Sequence, residues 1–557
     1  MNTKRLLSLA ICLTAGVSFF STGTGCTTLV THSPAIQCES DDECVYGYGF
    51  KNTKCVANAC VPQCGKNSDC AKGQLCHESA CVSVANANCT EVGFPVPGVK
   101  PEKFEPGVVP DNAVVLGLIA RLDRGDPAYT LDNTYSKAMR LFLQELGENK
   151  LPGGRTIYPV ACSQTNPTAS AKHLADLGAA AILGPSDDDR TFRAVGEVAI
   201  PRNVALIDGL VFQNTAKAVP GAKNLSWATS FQPSEAIAPL ARYVAQREIQ
   251  VKAAHAVDKI RVALVWGGGE TDEFLAFRGL ADGALVFNGK SAIEQEGADC
   301  GGPCYVRYNS QDVAFKAGEV DRMIAQKPNL IVVVAGPFDW GTLGVVNLEK
   351  KWPNGVPRPY YAQAFLKYED TAFASLHDTV ANGSDLFGYG GKPADQASLR
   401  TRAGGIRVIR DNSYEIFRSK FRSSYGIDPY YTTGRIYEST ILATYALYAA
   451  AGKSATAPLN GLAVADNILA VSRGGEGATV ISPIPQDIPK AVGLLLNQKP
   501  IKLNGLFSTF DWDEEVQNVR HGWETWCMRQ NEYISTAAKF DFASKDFVGG
   551  DTSNCGK

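Results

Sequence analysis

The sequence predicts an α/β protein built on doubly wound parallel sheets and preceded by a small disulfide-rich module. Three observations carry this. From residue 113 onward, short apolar runs alternate with segments of helical spacing, the pattern of parallel strands joined by right-handed crossover helices. Before that, eight cysteines fall into two sets of matching spacing. Between them, residues 92–110 carry five prolines and read as an extended linker.

The chain has 557 residues, too many for one compact core. Its 45% hydrophobic and 20% charged residues are ordinary for a folded protein. A net charge of −3 excludes a general nucleic-acid binder, because no surplus of Lys and Arg exists to neutralise phosphates.

Residues 1–25 read as an export signal. Lys4 and Arg5 precede the apolar run LLSLAICLTAGVSFF, and small residues follow. The run is short for a membrane span, and no second stretch is apolar enough to be one. Gly25 and Cys26 resemble the lipobox of bacterial lipoproteins, with Gly23 where that motif normally carries Leu, Val or Ile. The resemblance implies a lipid on Cys26, a tether over 26–37, and membrane contact through that lipid only. The protein is then expected in the cell envelope, on the periplasmic or cell-surface face.

The remaining cysteines suit an oxidising compartment. Cys12 leaves with the signal and Cys26 takes the lipid, so fourteen of the sixteen remain, an even number. In the module 38–91, Cys38, Cys44, Cys55 and Cys60 form one set, and Cys64, Cys70, Cys76 and Cys81 the second. So small a segment has almost no aliphatic core and needs disulfides to hold it. No CxxC pair occurs and His77 is the only histidine within the repeats, which argues against metal. A stiff, protease-resistant stalk is the expected role. Further on, Cys300 and Cys304 bracket a GGP turn. Pairs of Cys89 with Cys162 and of Cys527 with Cys555 are expected, although spacing alone does not fix connectivity.

The main domain is expected over 111–545. AVVLGLIA (113–120) is a strand covered on both faces, followed by a helix with Tyr135, Met139, Phe142 and Leu146 at helical spacing. TIYPVA is the next strand. Asn166 caps a helix that begins at Pro167, packs Ala171, Leu174 and Ala175, and closes at Gly178. AAAIL is a buried strand that runs into Gly184, Pro185 and Ser186. Asp187, Asp188 and Asp189 then open another helix, where carboxylates favour the positive helix end. NVALIDG is a fourth strand.

From GLIARL to AILGPSDDD, and again over NLSWATSFQPSEAIAPLARYVAQ, the chain resembles type I periplasmic solute-binding proteins, the branched-chain amino acid and amide-binding group. DKIRVALVWGG, CYVRYN, NLIVVVAG and RPYYAQA resemble the second lobe of that family. SYEIFRSKFRSSYGIDPYYTTGRIYESTILATYALYAAAG resembles its long helical pair, with Tyr437 in the usual aromatic position. The resemblance implies two hinged lobes, lobe one about 111–232 and 392–475, lobe two about 250–385 and 476–545. It places ligand contacts in the loops after parallel strands. In lobe one these are Asp123, Gly184, Ser186, Asp187, Asp208 and Gly209; in lobe two, Gly268, Glu270, Thr271, Phe338, Asp339 and Gln363. Asp187 and Asp208 stand where amino-acid binders of the family carry small hydroxyl residues, which points to a neutral or cationic ligand.

Little else carries chemistry. No GxSxG, HExxH or Rossmann glycine motif is present, and GALVFNGKS (283–291) misses the phosphate-loop spacing by one residue. The histidines are scattered, and His173 reads as a surface residue. The expectation is therefore a binding protein, not an enzyme, with no cofactor, a small polar ligand, and an ABC permease as partner. The alternative is a surface receptor, adhesion protein or sensor on the same fold, favoured by the cysteine-rich neck.

Overall fold

The computed structural model describes residues 38–44, 53–56, 58–95, 97, 103–104, 107–122, 129–147, 150–184, 189–208, 219, 221, 224–230, 233–266, 272–334, 345–364, 398, 401–429, 431–507, 510–514, 517–529, 532–550 and 555. The export signal and Cys26 lie outside them. Among the described residues, no helix is long and apolar enough to cross a membrane.

The chain divides into two compact units. One holds the described residues up to Gly65 together with Glu78–Cys81; the other holds Lys66–His77 and everything from Val82. In the small unit, Thr53–Val56 pairs antiparallel with Ala59–Pro62. Disulfides join Cys38 to Cys55 and Cys44 to Cys60, first to third and second to fourth of the set. Cys64, Cys70, Cys76 and Cys81 are also disulfide-bonded. Cys38, Cys44 and Cys55 lie within 4.8 Å of one another, but each is tied up in a disulfide and offers no thiolate to a metal.

The large unit contains two eight-stranded mixed sheets. The first runs in the order Asp511–Asp513, Asn518–Arg520, Ser226–Ala228, Ala205–Asp208, Ala181–Leu183, Ala113–Ala120, Thr156–Ser163 and Glu91–Val92. Its inner pairings are parallel, and those at its two ends are antiparallel. The second runs Tyr305–Asn309, Val262–Trp266, Leu330–Val334, Tyr360–Gln363, Ala403–Val408, Trp523–Arg529, Glu532–Asp541 and Asp546–Val548. Its first five strands are parallel and its last three join antiparallel.

The local chemistry accounts for these elements. Val114 to Ala120 are all buried apart from Gly117's missing side chain, and a Cβ there would meet Leu174 Cδ1 at 2.8 Å. That glycine lets the helix Pro167–Asp176 lie directly on the strand. Asn166 Oδ1 accepts the N–H of Ala169 at 3.2 Å, and Gly178 ends the segment at φ +68°. GALVFNGKS is a hairpin, Val286–Phe287 against Lys290–Ser291. Asn288 and Gly289 both take positive φ, as a tight two-residue turn requires.

Three expectations need correction. Glu91–Val92 does not belong to the cysteine-rich module, and 92–110 is not a free linker. Those two residues form the edge strand of the first sheet, and Val84, Val92 and Val109 join its core. Part of the second cysteine set is packed into the same unit. Leu75 is buried there, Asn67 Nδ2 donates to Pro110 O at 2.5 Å, and Ser68 binds the Asp111 carboxylate. The lobe boundaries also shift. Ala403–Val408, placed in lobe one, lies in the second sheet, where Gly405 lets the strand fit tightly against Tyr360–Gln363 and Gly404 makes room for Tyr243 of the helix Pro233–His255. Asp511–Asp513 and Asn518–Arg520, placed in lobe two, complete the first sheet. His173, read as a surface residue, is half-buried with Nε2 3.1 Å from Val84 O, and burial lowers its pKa.

Candidate functional site

Parallel pairing sets the carboxyl ends of strands side by side, which is where open α/β sheets bind ligands. In the first sheet, Leu118 pairs with Leu183 and Leu183 with Ile207. The strands that feed Asp123, Gly184 and Asp208 are therefore direct neighbours. In the second sheet, Trp266 pairs with Val334 and Val333 with Gln363. The strands that feed Gly268, Phe338 and the Gln363 position are neighbours in the same way. The described ends of these strands thus share one carboxyl edge in each sheet.

Gly184, Asp208 and Gln363 are the candidates within the described residues. Gly184 is buried at φ +83°, and its N–H donates to Ile207 O at 3.3 Å. Asp208 closes its strand opposite Ala228. Gln363 is 1% exposed, and its Oε1 has no hydrogen-bond partner among the described residues. Ser310 Oγ, just past the end of Tyr305–Asn309, is buried and unpartnered in the same sense. A buried carbonyl left unpaired costs about 1–3 kcal/mol, so such a group is poised for a donor. Asp123, Ser186, Asp187, Gly209, Gly268, Glu270, Thr271, Phe338 and Asp339 lie outside the described residues.

The chain passes between the sheets three times. It leaves the first at Ala228 and enters the helix Pro233–His255, returns over Ile409–Asp411 into the helix Asn412–Tyr425, and leaves again over His521–Gly522. The crossings are bonded to one another. Ile409 N donates to Gly522 O at 2.9 Å, and His521 N donates to Glu235 Oε2 at 3.2 Å. A Cβ on Gly522 would meet Ile409 Cδ1 at 2.8 Å.

Beneath them lies a buried charged group on the long helix Tyr431–Lys453. Arg435 donates to Thr229 O at 2.8 Å and pairs with Glu438 at 3.0 Å, both side chains 2% exposed. Glu438 Oε1 accepts the N–H groups of Leu506 and Phe507. The Arg435 guanidinium also lies 4.2 Å over the Phe507 ring. Burial pushes the Glu235 carboxyl up to about 8, against the His521 N–H and the charges of Arg435 and Arg520. Burial also holds the His521 imidazole well below its ordinary value, with help from the Arg435 charge. Sequence reasoning did not single out Glu235, Arg435, Glu438 or the His521 environment. The one signal was a charged pair three residues apart inside an apolar helix, where burial forces the two to pair.

The structure also joins Cys89 to Cys162, Cys300 to Cys304 and Cys527 to Cys555.

No family model matches the chain. No curated protein matches it either. Solved structures do. A solute-binding protein of an ABC transporter from Rhodopseudomonas palustris, in complex with 3,4-dihydroxybenzoic acid, is 14% identical with a TM-score of 0.51, covering 77% of this chain and 98% of that one. The branched-chain amino acid transporter substrate-binding protein LivJ from Streptococcus pneumoniae, in complex with isoleucine, is 13% identical with a TM-score of 0.49, covering 76% and 99%. The leucine-binding protein LivK from Thermotoga maritima is 11% identical with a TM-score of 0.49, covering 76% and 97%. The first of these carries the likeness: the two eight-stranded sheets joined by three crossings have the fold of periplasmic binding proteins.

Proposed function

We propose that the protein captures a small polar ligand, amino-acid- or amide-like, between the carboxyl edges of its two sheets and delivers it to an ABC permease, held at the membrane by a lipid on Cys26. The observation that supports this best is Gln363. A carboxamide at the end of a central strand is buried with its oxygen unpaired among the described residues. A ligand N–H there would satisfy it, and closure about the crossings would remove the ligand from water. The ligand contacts in lobe one would be Asp123, Gly184, Ser186, Asp187, Asp208 and Gly209, and in lobe two Gly268, Glu270, Thr271, Phe338 and Asp339.

The test is thermal unfolding of the mature protein against a library of amino acids, amides and small polyols. A ligand at a hundredfold excess over its Kd adds about 2.7 kcal/mol to the stability of the folded state. The expected outcome is a concentration-dependent rise in Tm for one chemical class, lost in Gln363→Leu. If none of the compounds raises Tm, the capture reading fails and the receptor or adhesion reading takes its place.

A further inference from the structure

The edge strand Tyr305–Asn309 of the second sheet begins at a disulfide, Cys300–Cys304, that brackets Gly301, Gly302 and Pro303. Cys304 is 1% exposed and Cys300 half-buried, so an outside reagent reaches the pair through Cys300. Asn288 is aimed at that sulfur. Its Oδ1 accepts the Ile260 N–H and its Nδ2 donates to Ile260 O, both at 2.9 Å, while its own N–H donates to Glu248 Oε1 at 2.8 Å. Held in this way, Nδ2 turns its second hydrogen to Cys300 Sγ, 3.7 Å off. Arg261 donates to Gly301 O at 2.9 Å, and burial lowers its pKa with no carboxylate to offset that. The acids at hand are Asp299, exposed and bonded to Gly302 N–H at 2.8 Å, and Glu248, paired with Lys252 at 2.7 Å.

A disulfide sulfur is a weak acceptor and gains little from a fixed N–H, whereas a thiolate gains much. We propose that Cys300–Cys304 is a thiol–disulfide exchange site for an external dithiol, with Cys300 as the reacting sulfur and Asn288 holding its thiolate. The loop does not need the covalent bond to keep its shape. Cys300 N donates to Gly302 O at 2.8 Å, Cys304 N to Ala298 O at 3.0 Å, and the Arg261 and Asp299 bonds add to these. So short a loop also restricts the unfolded chain little, so opening it costs the fold little. The reduced pair therefore stays face to face and can close again. Cys304 O accepts Val262 N–H at 2.8 Å, at the amino ends of both strands, whereas Gln363 ends its strand at the carboxyl edge. The exchange site thus stands whether or not a small molecule binds there.

The steps balance as follows. One thiolate of the dithiol bonds to Cys300 Sγ, the Cys300–Cys304 bond breaks, and Cys304 leaves as thiolate and takes up a proton. The second thiolate of the same dithiol attacks its own sulfur in the mixed disulfide, and Cys300 leaves as thiolate onto the Asn288 N–H. The dithiol is oxidised to its disulfide, the protein pair gains the two electrons, and the protons pass through solvent. A better-stabilised leaving thiolate departs faster, so the Asn288 bond speeds the second step.

The test treats the folded protein with dithiothreitol, quenches with iodoacetamide and reads the labelled cysteines by peptide mass. Cys300 and Cys304 should be labelled about tenfold faster than Cys89 and Cys162, which are fully buried, with the circular dichroism unchanged, and the pair should close again in oxidised dithiothreitol. In Cys304→Ser, the pH dependence of Cys300 alkylation should give a thiol pKa below the ordinary value of about 8.5. Asn288→Asp keeps the acceptor for Ile260 N–H but removes the donor, and should raise that pKa and slow the exchange. Should Asn288→Asp fail to fold, the Cys300 titration decides alone. Reduction of Cys89–Cys162 at the same rate, a Cys300 titration in the ordinary cysteine range, or a folded Asn288→Asp that leaves both readings unchanged each overturns the proposal.

Discussion

In the first sheet, both ends are closed by short antiparallel strands drawn from opposite ends of the chain, Glu91–Val92 and Asp511–Asp513. In the second, one edge is a parallel strand and the other is a local antiparallel run, Trp523 to Val548. The first sheet therefore depends on long-range attachments, and these are buried. Arg140 donates to Gly93 O at 2.8 Å and to the backbone oxygen of Glu91 at 2.9 Å, and pairs with the Glu91 carboxylate at 3.3 Å. Cys89–Cys162 ties the same edge across 73 residues. The second sheet closes its far end by sequence-local pairing, but that run joins Ala403–Val408 through a buried pair of its own, Arg407 with Glu524 at 2.6 Å across 117 residues. Its C-terminal strand meets the helix Pro233–His255 through Arg242 and Asp546, both about 40% exposed. Short edge strands far apart in sequence need a buried anchor, because a strand of two residues offers few ladder bonds of its own.

The largest effect separates the two sheets at their centres. A Cβ on Gly405 would lie 2.1 Å from Gln363 O, a backbone atom in the neighbouring strand. Gly405→Ala should therefore cost about 4 kcal/mol or more and abolish the cooperative unfolding of the second sheet in urea, read by Trp fluorescence. The matching change in the first sheet, Gly117→Ala, meets only the tip of Leu174 and should cost about 1–3 kcal/mol. Equal losses would mean that the second sheet is not the tighter of the two. Next comes the buried anchor. Arg140→Met leaves Glu91 without its cation and Ser136 without its donor, and should lose about 3–5 kcal/mol in urea unfolding. A loss below 1 kcal/mol would remove the case for a buried anchor.

The same contrast shows what the sequence made legible. Ala113–Ala120, the helix capped by Asn166 and the strands Val262–Trp266 and Leu330–Val334 follow from apolar period and capping chemistry, because each is decided by its own residues. The edge strand Glu91–Val92 does not: two residues have no period, and five nearby prolines point to a linker. Its place is set by Arg140 and Cys162, distant in sequence. Ala403–Val408 was misplaced because a strand's sequence does not say which sheet it joins. The parallel strands whose carboxyl ends lie side by side were legible from apolar period and resemblance. The charged group under the crossings was not, since Glu235, Arg435 and His521 converge only through packing.

Two smaller effects finish the comparison. Replacing Cys89 and Cys162 together by Ser should remove about 2–4 kcal/mol, because the bond closes a long loop in the unfolded chain. The loss should come with faster proteolysis near residue 92, since the edge strand is freed first. Opening the four-residue loop of Cys300–Cys304 should matter less, as a short loop restricts the unfolded chain little. At the surface, Arg242 binds Asp546 through two bonds of 2.6 and 2.7 Å, yet both partners face solvent, where screening and side-chain entropy offset most of the attraction. Arg242→Ala should therefore shift stability by about 0–1 kcal/mol in urea unfolding, and added salt should shrink the difference further. A loss near that of Arg140→Met would make the exposed pair as strong an anchor as the buried one, and the distinction between an outer strand held by buried charge and one held at the surface would fall.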